Sequence, residues 1–282
     1  MYLRSLAPVK EYLVVLLDVY SRTHELDEQS IGAVAARLEA RSSSVRYMGM
    51  LHEYLDVADV GGAEHVLALG CGTGVEVREL IRRPDFHGKV TAIDISAELI
   101  NRAKAFAAQE GRGERVEWLV DDAQSLNLTT AFFDLVIAHT LVSHVPQPKR
   151  VLQEAARVVR PGGTVIIFDG DYATLTFGPD REMDERIITA LITNPRVMRT
   201  MPHLLRDVGL ELADSRGWVL TEIGRADFFL AALQSFSVLL PKTGVATPQE
   251  VEAFVASQRE ASEKNTFFAG YNYYALIAKR PL

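Results

Sequence analysis

The chain has 282 residues, 48% hydrophobic and 24% charged, which suits one large globular domain with additions. Its formal charge of -7 and pI near 5.6 argue against a nucleic-acid substrate, which asks for a basic surface. A single cysteine, Cys71, excludes an internal disulfide and any cysteine-cluster metal site, so no metal is expected, and it fits a reducing compartment.

Residues 1–62 read as helices. One candidate covers 9–19. Within it the apolar run 13–17 is short and flanked by Glu11 and Asp18, unlike a signal peptide. No run approaches the ~20 apolar residues of a membrane span, so a cytoplasmic protein is expected. Ile31, Val34, Ala35 and Leu38 mark a second helix, opening at Asp27 or Ser30. Val45, Met48, Leu51, Tyr54 and Leu55 mark a third, after three serines. Their apolar stripes must pack on something. A structural cover and a lid over a binding site are both open, with Tyr20, Arg46, Tyr47 and Met48 the residues placed to touch a ligand.

From residue 63 strand and helix alternate. An apolar run over 66–69 ends in three alternating glycines, Gly70, Gly72 and Gly74. Val75, Val77, Leu80 and Ile81 then fall at helical spacing. The sequence predicts a buried strand, a tight turn and a helix, with bare backbone open to a ligand and helix N–H groups facing an anion. A second strand, 89–94, ends in Asp94, ~20 residues past the turn, where a carboxylate meets ribose hydroxyls in dinucleotide folds. A third, 115–120, runs into Asp121, Asp122 and Ala123. Further strands fall at 133–138 and 163–169, with helices at 74–83, 96–110 and 148–160. Ser96 is placed as an amino cap, Pro148 as a first-turn proline, and the Pro-Gly-Gly at 161–163 ends the last of these helices. This is an α/β pattern, a parallel sheet covered on both faces, whose ligands sit beyond the carboxyl ends of its strands.

After residue 170 helices are predicted at 183–192 and 197–208, a sixth strand at 210–221, helices at 226–240 and 248–260, and a last strand at 267–279. The expected division is an amino-terminal helical cover over 1–62 and a sheet domain over 63–282. The helical insertion at 225–263 cannot stand alone, because the last strand must return to the sheet.

The glycine motif at 66–74, Asp94, the Asp-Ala pair at 122–123, the strand 133–137 and the Arg-Val-Val-Arg-Pro-Gly-Gly run at 157–163 together resemble the class I S-adenosylmethionine (SAM) dependent methyltransferases. The likeness is greatest to the small-molecule branch with the ubiquinone and menaquinone C-methyltransferases. It implies a Rossmann-like, doubly wound, seven-stranded sheet, mostly parallel with the last strand antiparallel. It also implies SAM as methyl donor and S-adenosylhomocysteine (SAH) as product. The residues it assigns to the cofactor are Gly70, Cys71, Gly72, Gly74, Asp94, Ile95, Asp122, Ala123 and His139, with Asp121 competing for the adenine role of Asp122. It makes the amino-terminal helices a lid. The family's usual acid two residues before the first glycine is Ala68 here, and Glu76 is the acid nearby that could take its task.

Methyl transfer needs the acceptor atom in line with the sulfur–methyl bond in a dry site, and sometimes a base. His144, past the fourth strand, is the candidate base and acceptor-aiming group, against a plain loop-capping role. Asp169 is the second catalytic candidate. Asp171 and Tyr172 join Tyr47 and His144 as substrate contacts, against a solvated turn. Asp169 could also pair with Arg46 or Arg199. The Asn-Pro at 194–195 lacks the remainder and the position of the nucleic-acid amino-methylating motif, and Cys71 lies inside the glycine turn, so both nucleic-acid chemistries are rejected.

Apolar and aromatic residues of the amino-terminal helices and of 228–240 fit an aromatic or lipophilic small-molecule acceptor, though core packing explains them equally. Carbon, oxygen and nitrogen acceptors stay open, and a homodimer is compatible with exposed lid helices. Two other functions remain in view: a protein of the same fold that binds SAM without transferring methyl, and a nicotinamide-dependent oxidoreductase. The latter's fingerprint wants glycine or alanine at position 75, where this chain has valine.

Overall fold

The computed structural model describes residues 18–178 and 181–282, so the candidate helix at 9–19 falls almost wholly outside the described residues. A 3-10 segment, Val19–Glu25, is followed by helices α1 (Glu28–Ala40) and α2 (Val45–Val57). Then alternate β1 (His65–Leu69), α3 (Val75–Arg82), β2 (Lys89–Asp94), α4 (Ala97–Gln109), β3 (Val116–Val120), β4 (Phe133–His139), α5 (Pro148–Val158) and β5 (Val159–Phe177). The rest comprises α6 (Arg181–Leu191), α7 (Val197–Asp207), β6 (Glu211–Gly224), α8 (Phe228–Thr243), α9 (Pro248–Glu263) and β7 (Phe267–Lys279).

The helix starts follow local chemistry. Asp27 accepts from the Ser30 amide at 2.8 Å, Ser44 from Tyr47 and Ser96 from Leu99, each at 3.3 Å. Pro148 is the first residue of α5, where its missing N–H costs nothing. Thr247 and Glu250 close a capping box at α9.

The seven strands form one sheet in the order β3-β2-β1-β4-β5-β7-β6. β1 to β5 pair in parallel, and β7 runs antiparallel to both neighbours. Order reverses between β1 and β4, so the ends of those two strands open a crevice. The strand predicted over 163–169 is longer, because β7 keeps pairing with it past Asp171, through a register shift, to Phe177.

Alternation sorts the core into two layers. Val66 and Ala68 of β1 face a cluster with α1, α2, α3, α4 and α8, whereas Leu67 and Leu69 face one with α5 and α7. α8 lies against both α1 and α9, so the late insertion and the amino-terminal helices make one cap on the same face of the sheet. Among the described residues no helix is long and apolar enough to cross a membrane.

Candidate active site

The turn after β1 has the backbone the glycines allow. Gly70, Gly72 and Gly74 sit at φ of +62°, +55° and +78°. A Cβ at Gly72 would stand 2.8 Å from Leu38, and one at Gly74 would stand 2.7 Å from the Trp118 ring. The turn is pinned from the neighbouring strand: the Cys71 amide donates to the Ile93 carbonyl at 2.8 Å, and the Gly72 amide to Asp94 Oδ2 at 2.8 Å. Asp94 Oδ1 takes the Ser96 amide at 2.9 Å. Each oxygen of this buried carboxylate therefore keeps a lone pair for a further donor.

These residues open into one cavity, which also reaches Ile95, Asp121, Asp122, Ala123, His139 and His144. Eight of the nine residues assigned to the cofactor by resemblance line it; Gly74 does not, and packs instead against Trp118. The two acids after β3 differ in availability. Asp121 uses both oxygens on the amides of Asp122 and Asn127, at 2.9 and 3.0 Å. Asp122 uses only Oδ1, on Gln124, and so retains Oδ2.

The wall beneath the amino-terminal helices carries charge. Glu76, in the first turn of α3, is 7% exposed, and burial pushes its carboxyl up to about 8. Among the described residues its carboxylate meets no hydrogen-bond donor beyond its own backbone amide. Ala68, where the resemblance expected an acid, is buried in the apolar cluster with Tyr47 and Tyr54. Opposite stands Arg41, just past α1 and 7% exposed. It donates to Thr140 Oγ1 at 2.7 Å and lies 5.4 Å over the Tyr47 ring. Thr140 itself sits at φ +52°, a strained place for a threonine at the tip of β4. Arg41 forms no ion pair among the described residues. The sequence reading missed it, because nothing local distinguishes one arginine at the end of an amphipathic helix from another.

His139 lines the cavity, but both ring nitrogens are occupied: Nε2 by the Tyr47 hydroxyl at 2.6 Å and Nδ1 by the Tyr54 hydroxyl at 2.8 Å. Burial, with Arg41 nearby, holds its basicity well below the ordinary range. It is a neutral strut between α2 and β4. Tyr47 spends its hydroxyl on that strut and shows the cavity only its ring.

His144 is placed differently. Its Nδ1 meets Asp18 Oδ2 at 2.9 Å, leaving Nε2 as the uncommitted nitrogen. Asp18, 2% exposed, also accepts from the Tyr20 amide and from the amide and hydroxyl of Thr193. That carboxylate fixes the imidazole tautomer with the proton on Nδ1. The Asp18 role was not legible, because the partners are 126 positions apart.

The remaining candidates lie elsewhere. Asp169 does not line the cavity. It is fully buried and accepts from the Ser143 amide and hydroxyl and from the Gly170 amide, at 3.0, 3.0 and 2.8 Å. It ties the loop after β4 to β5 and leaves no oxygen facing a substrate, which corrects its reading as a catalytic group. Neither Arg46 nor Arg199 pairs with it: Arg199 binds Asp171 at 2.7 Å, and Arg46 donates to the Thr221 carbonyl. Asp171 therefore faces a separate surface groove with Arg199 and is not a substrate contact in the main cavity. Tyr172 is also off that cavity. It stacks on Tyr271 at 5.4 Å and borders a second, apolar chamber.

Comparison with known proteins agrees with this geometry. Residues 67–167 match the family model described as a methyltransferase domain. Methyltransferase GfsG of Streptomyces halstedii is 26% identical over 239 residues, 82% of this chain and 80% of that protein. Ubiquinone biosynthesis O-methyltransferase of Coxiella burnetii is 34% identical over 101 residues, 36% of this chain and 41% of that protein. The chain spans less than half the length of the first curated relatives it matches. Among solved structures, geranyl diphosphate C-methyltransferase from Streptomyces coelicolor A3(2) superposes with a TM-score of 0.52 at 16% identity, covering 83% of this chain and 80% of that one. The matched segment runs from β1 into β5, the part of the sheet that carries the glycine turn, Asp94 and Asp122, and is similar to a methyltransferase domain.

Proposed function

We propose that this protein transfers a methyl group from SAM to a small apolar acceptor, with His144 taking the acceptor's proton when one must leave. The observation that carries the reading is a single cavity with two unlike walls. One is the glycine turn with Asp94 and Asp122 at the strand tips. The other is His144, held by Asp18.

The residues suit the donor. Asp94 has lone pairs left for both ribose hydroxyls, and Asp122 Oδ2 for the adenine amino group. SAM carries a sulfonium, an ammonium and a carboxylate, a net charge of plus one. The inner wall offers the complement: Arg41 for the carboxylate, Glu76 for the ammonium that Ala68 cannot serve, and Asp94 besides. Bound there, SAM supplies an electrophilic methyl group. Glu76 holds a proton in the unliganded site and gives it up to meet a cation.

On the acceptor side, Asp18 keeps the imidazole in the tautomer that presents a lone pair at Nε2. The helices over the turn exclude water, which strengthens every charge contact in the cavity. The likeness to the quinone methyltransferases supports a small-molecule acceptor, and the net charge of -7 supports one that is not nucleic acid. Thermal shift is the direct test. SAM and SAH at about 100 times their Kd should raise stability by about 2.7 kcal/mol, and NADH should not. Stabilisation by NADH alone rejects the reading. SAM binding with no SAH released from any acceptor makes this a SAM-binding protein without transfer.

A further inference from the structure

The corner between α6 and α7 carries the Asn-Pro at 194–195 and meets the loop that holds His144. The Asn194 amide donates to the Ser143 carbonyl, and its Nδ2 to the Val145 carbonyl, each at 2.7 Å. The Thr193 amide and hydroxyl both donate to Asp18 Oδ2, at 2.9 and 3.0 Å. These contacts end either on the two residues that flank His144 or on the carboxylate that it faces.

Thr193 reaches the same oxygen that meets His144 Nδ1. Oδ2 thus carries donors from Thr193 and His144, while Oδ1 takes the Tyr20 amide. With both oxygens engaged, the carboxylate cannot turn about its Cβ–Cγ bond without losing partners. The imidazole therefore faces an acceptor of fixed direction at Nδ1. The loop itself is gripped from two sides. Asp169 of β5 takes the Ser143 amide and hydroxyl at 3.0 Å each, and Asn194 takes the Ser143 carbonyl. The corner is anchored in turn. Pro195 keeps the backbone of Asn194 out of the helical region, and the Pro195 carbonyl accepts the Ala173 amide of β5 at 3.1 Å. A corner that merely joined two helices would turn its side chains to helix ends or to water. Here both side chains serve the surroundings of one histidine.

We infer that Thr193 and Asn194 are positioning residues for the base. Asn194 sets where the imidazole stands, and Thr193 holds Asp18 so that the proton stays on Nδ1 and the lone pair on Nε2. Neither lines the donor cavity, so both act through Asp18 and the loop 143–145. The inference deepens the methyl-transfer reading, from which it takes His144 as the base. Proton removal needs Nε2 within hydrogen-bond reach of the acceptor, so a misplaced ring costs rate and leaves donor binding alone.

The test is nitrogen-15 NMR of the histidine-labelled, unliganded protein at alkaline pH, where imidazoles are neutral. The His144 signals are assigned by their loss in His144→Gln. The parent protein should carry the proton on Nδ1. Thr193→Val combined with Asn194→Leu keeps the side-chain shapes and removes both side-chain donors. In that double variant the proton should move to Nε2, the tautomer a neutral imidazole prefers in water, in most molecules. Thr193→Ser, which keeps the hydroxyl, should show the parent pattern. In an SAH-release assay the double variant should lose about tenfold in kcat, with KM for SAM within threefold. If it fails to fold, the two single variants carry the test, each with a mixture of tautomers expected. A proton on Nε2 in the parent protein, a proton still on Nδ1 in the variants, or an SAH affinity that falls in step with kcat overturns the inference. The NMR result needs no turnover, so it judges the corner by itself. Failure of SAH to bind the parent protein counts against the methyl-transfer reading instead.

Discussion

The donor wall and the acceptor wall of this cavity are built in opposite ways. The donor wall comes from one stretch, residues 66–123, in which three strand tips and a glycine turn lie in register. Most of its working groups are backbone amides or carboxylates held by backbone amides, as Asp94 is by Gly72 and Ser96. The acceptor wall draws on Asp18 and Tyr20 before α1, Arg41 just past its end, Tyr47 on α2 and His144 after β4. Its working groups are side chains held by side chains. A sheet edge can present a generic nucleotide site from local sequence, while selection of one acceptor needs groups delivered from several separate elements.

That contrast can be broken by substitution, and the largest effect belongs to the donor wall. Asp94→Ala removes the ribose acceptor and also frees the Gly72 and Ser96 amides. SAH affinity by calorimetry should fall at least about 100-fold, the loss of two hydrogen bonds to a charged group. The unliganded protein should also lose about 1–3 kcal/mol of stability. Unchanged SAH binding would show that the ribose lies elsewhere.

Next comes the acceptor wall. His144→Ala should lower kcat about 100-fold in an SAH-release assay with any acceptor that turns over, and Asp18→Asn by about tenfold, the share of a residue that only fixes the tautomer. Both should leave SAH affinity within threefold. A parallel loss of SAH binding would merge the two walls into one unit. Turnover unaffected by His144→Ala would return this residue to a loop contact.

The smallest effect probes the charge between the walls. Below pH 4.5 the Glu76 carboxyl is protonated in the folded and unfolded chain alike, and costs nothing. Between 4.5 and about 8 the unfolded chain ionises while the folded one holds its proton, so this group lowers stability progressively, and above 8 the loss levels off. Glu76→Gln should therefore stabilise the unliganded protein by a margin that grows across that window to about 5 kcal/mol at most. It should also weaken SAM binding about tenfold. A gain that does not change with pH would place the carboxyl in water.

Much of this was legible beforehand, for a local reason. The strand–turn–helix at 65–82, the carboxylate ending β2 and the caps at Asp27, Ser44 and Ser96 depend on neighbours within a few residues, and periodicity and cap chemistry report those. The reading of Asp169 and Asp171 shows where that stops. Two acids flanking a glycine on one strand look alike in sequence. Yet one points inward to Ser143 and the other outward to Arg199, because adjacent tips and a helix decide which partner each meets.

The sequence by itself determined that the chain folds as a doubly wound sheet with a nucleotide-type turn after its first strand, since hydrophobic period and glycine placement are short-range properties. Only the tertiary structure decided that His144 is a fixed base candidate while His139 is a bridge. It alone brought Arg41 and Glu76 to the wall of one cavity. Those outcomes depend on burial and on partners as many as 126 residues distant, and a side chain's chemistry is set by what surrounds it in space rather than along the chain.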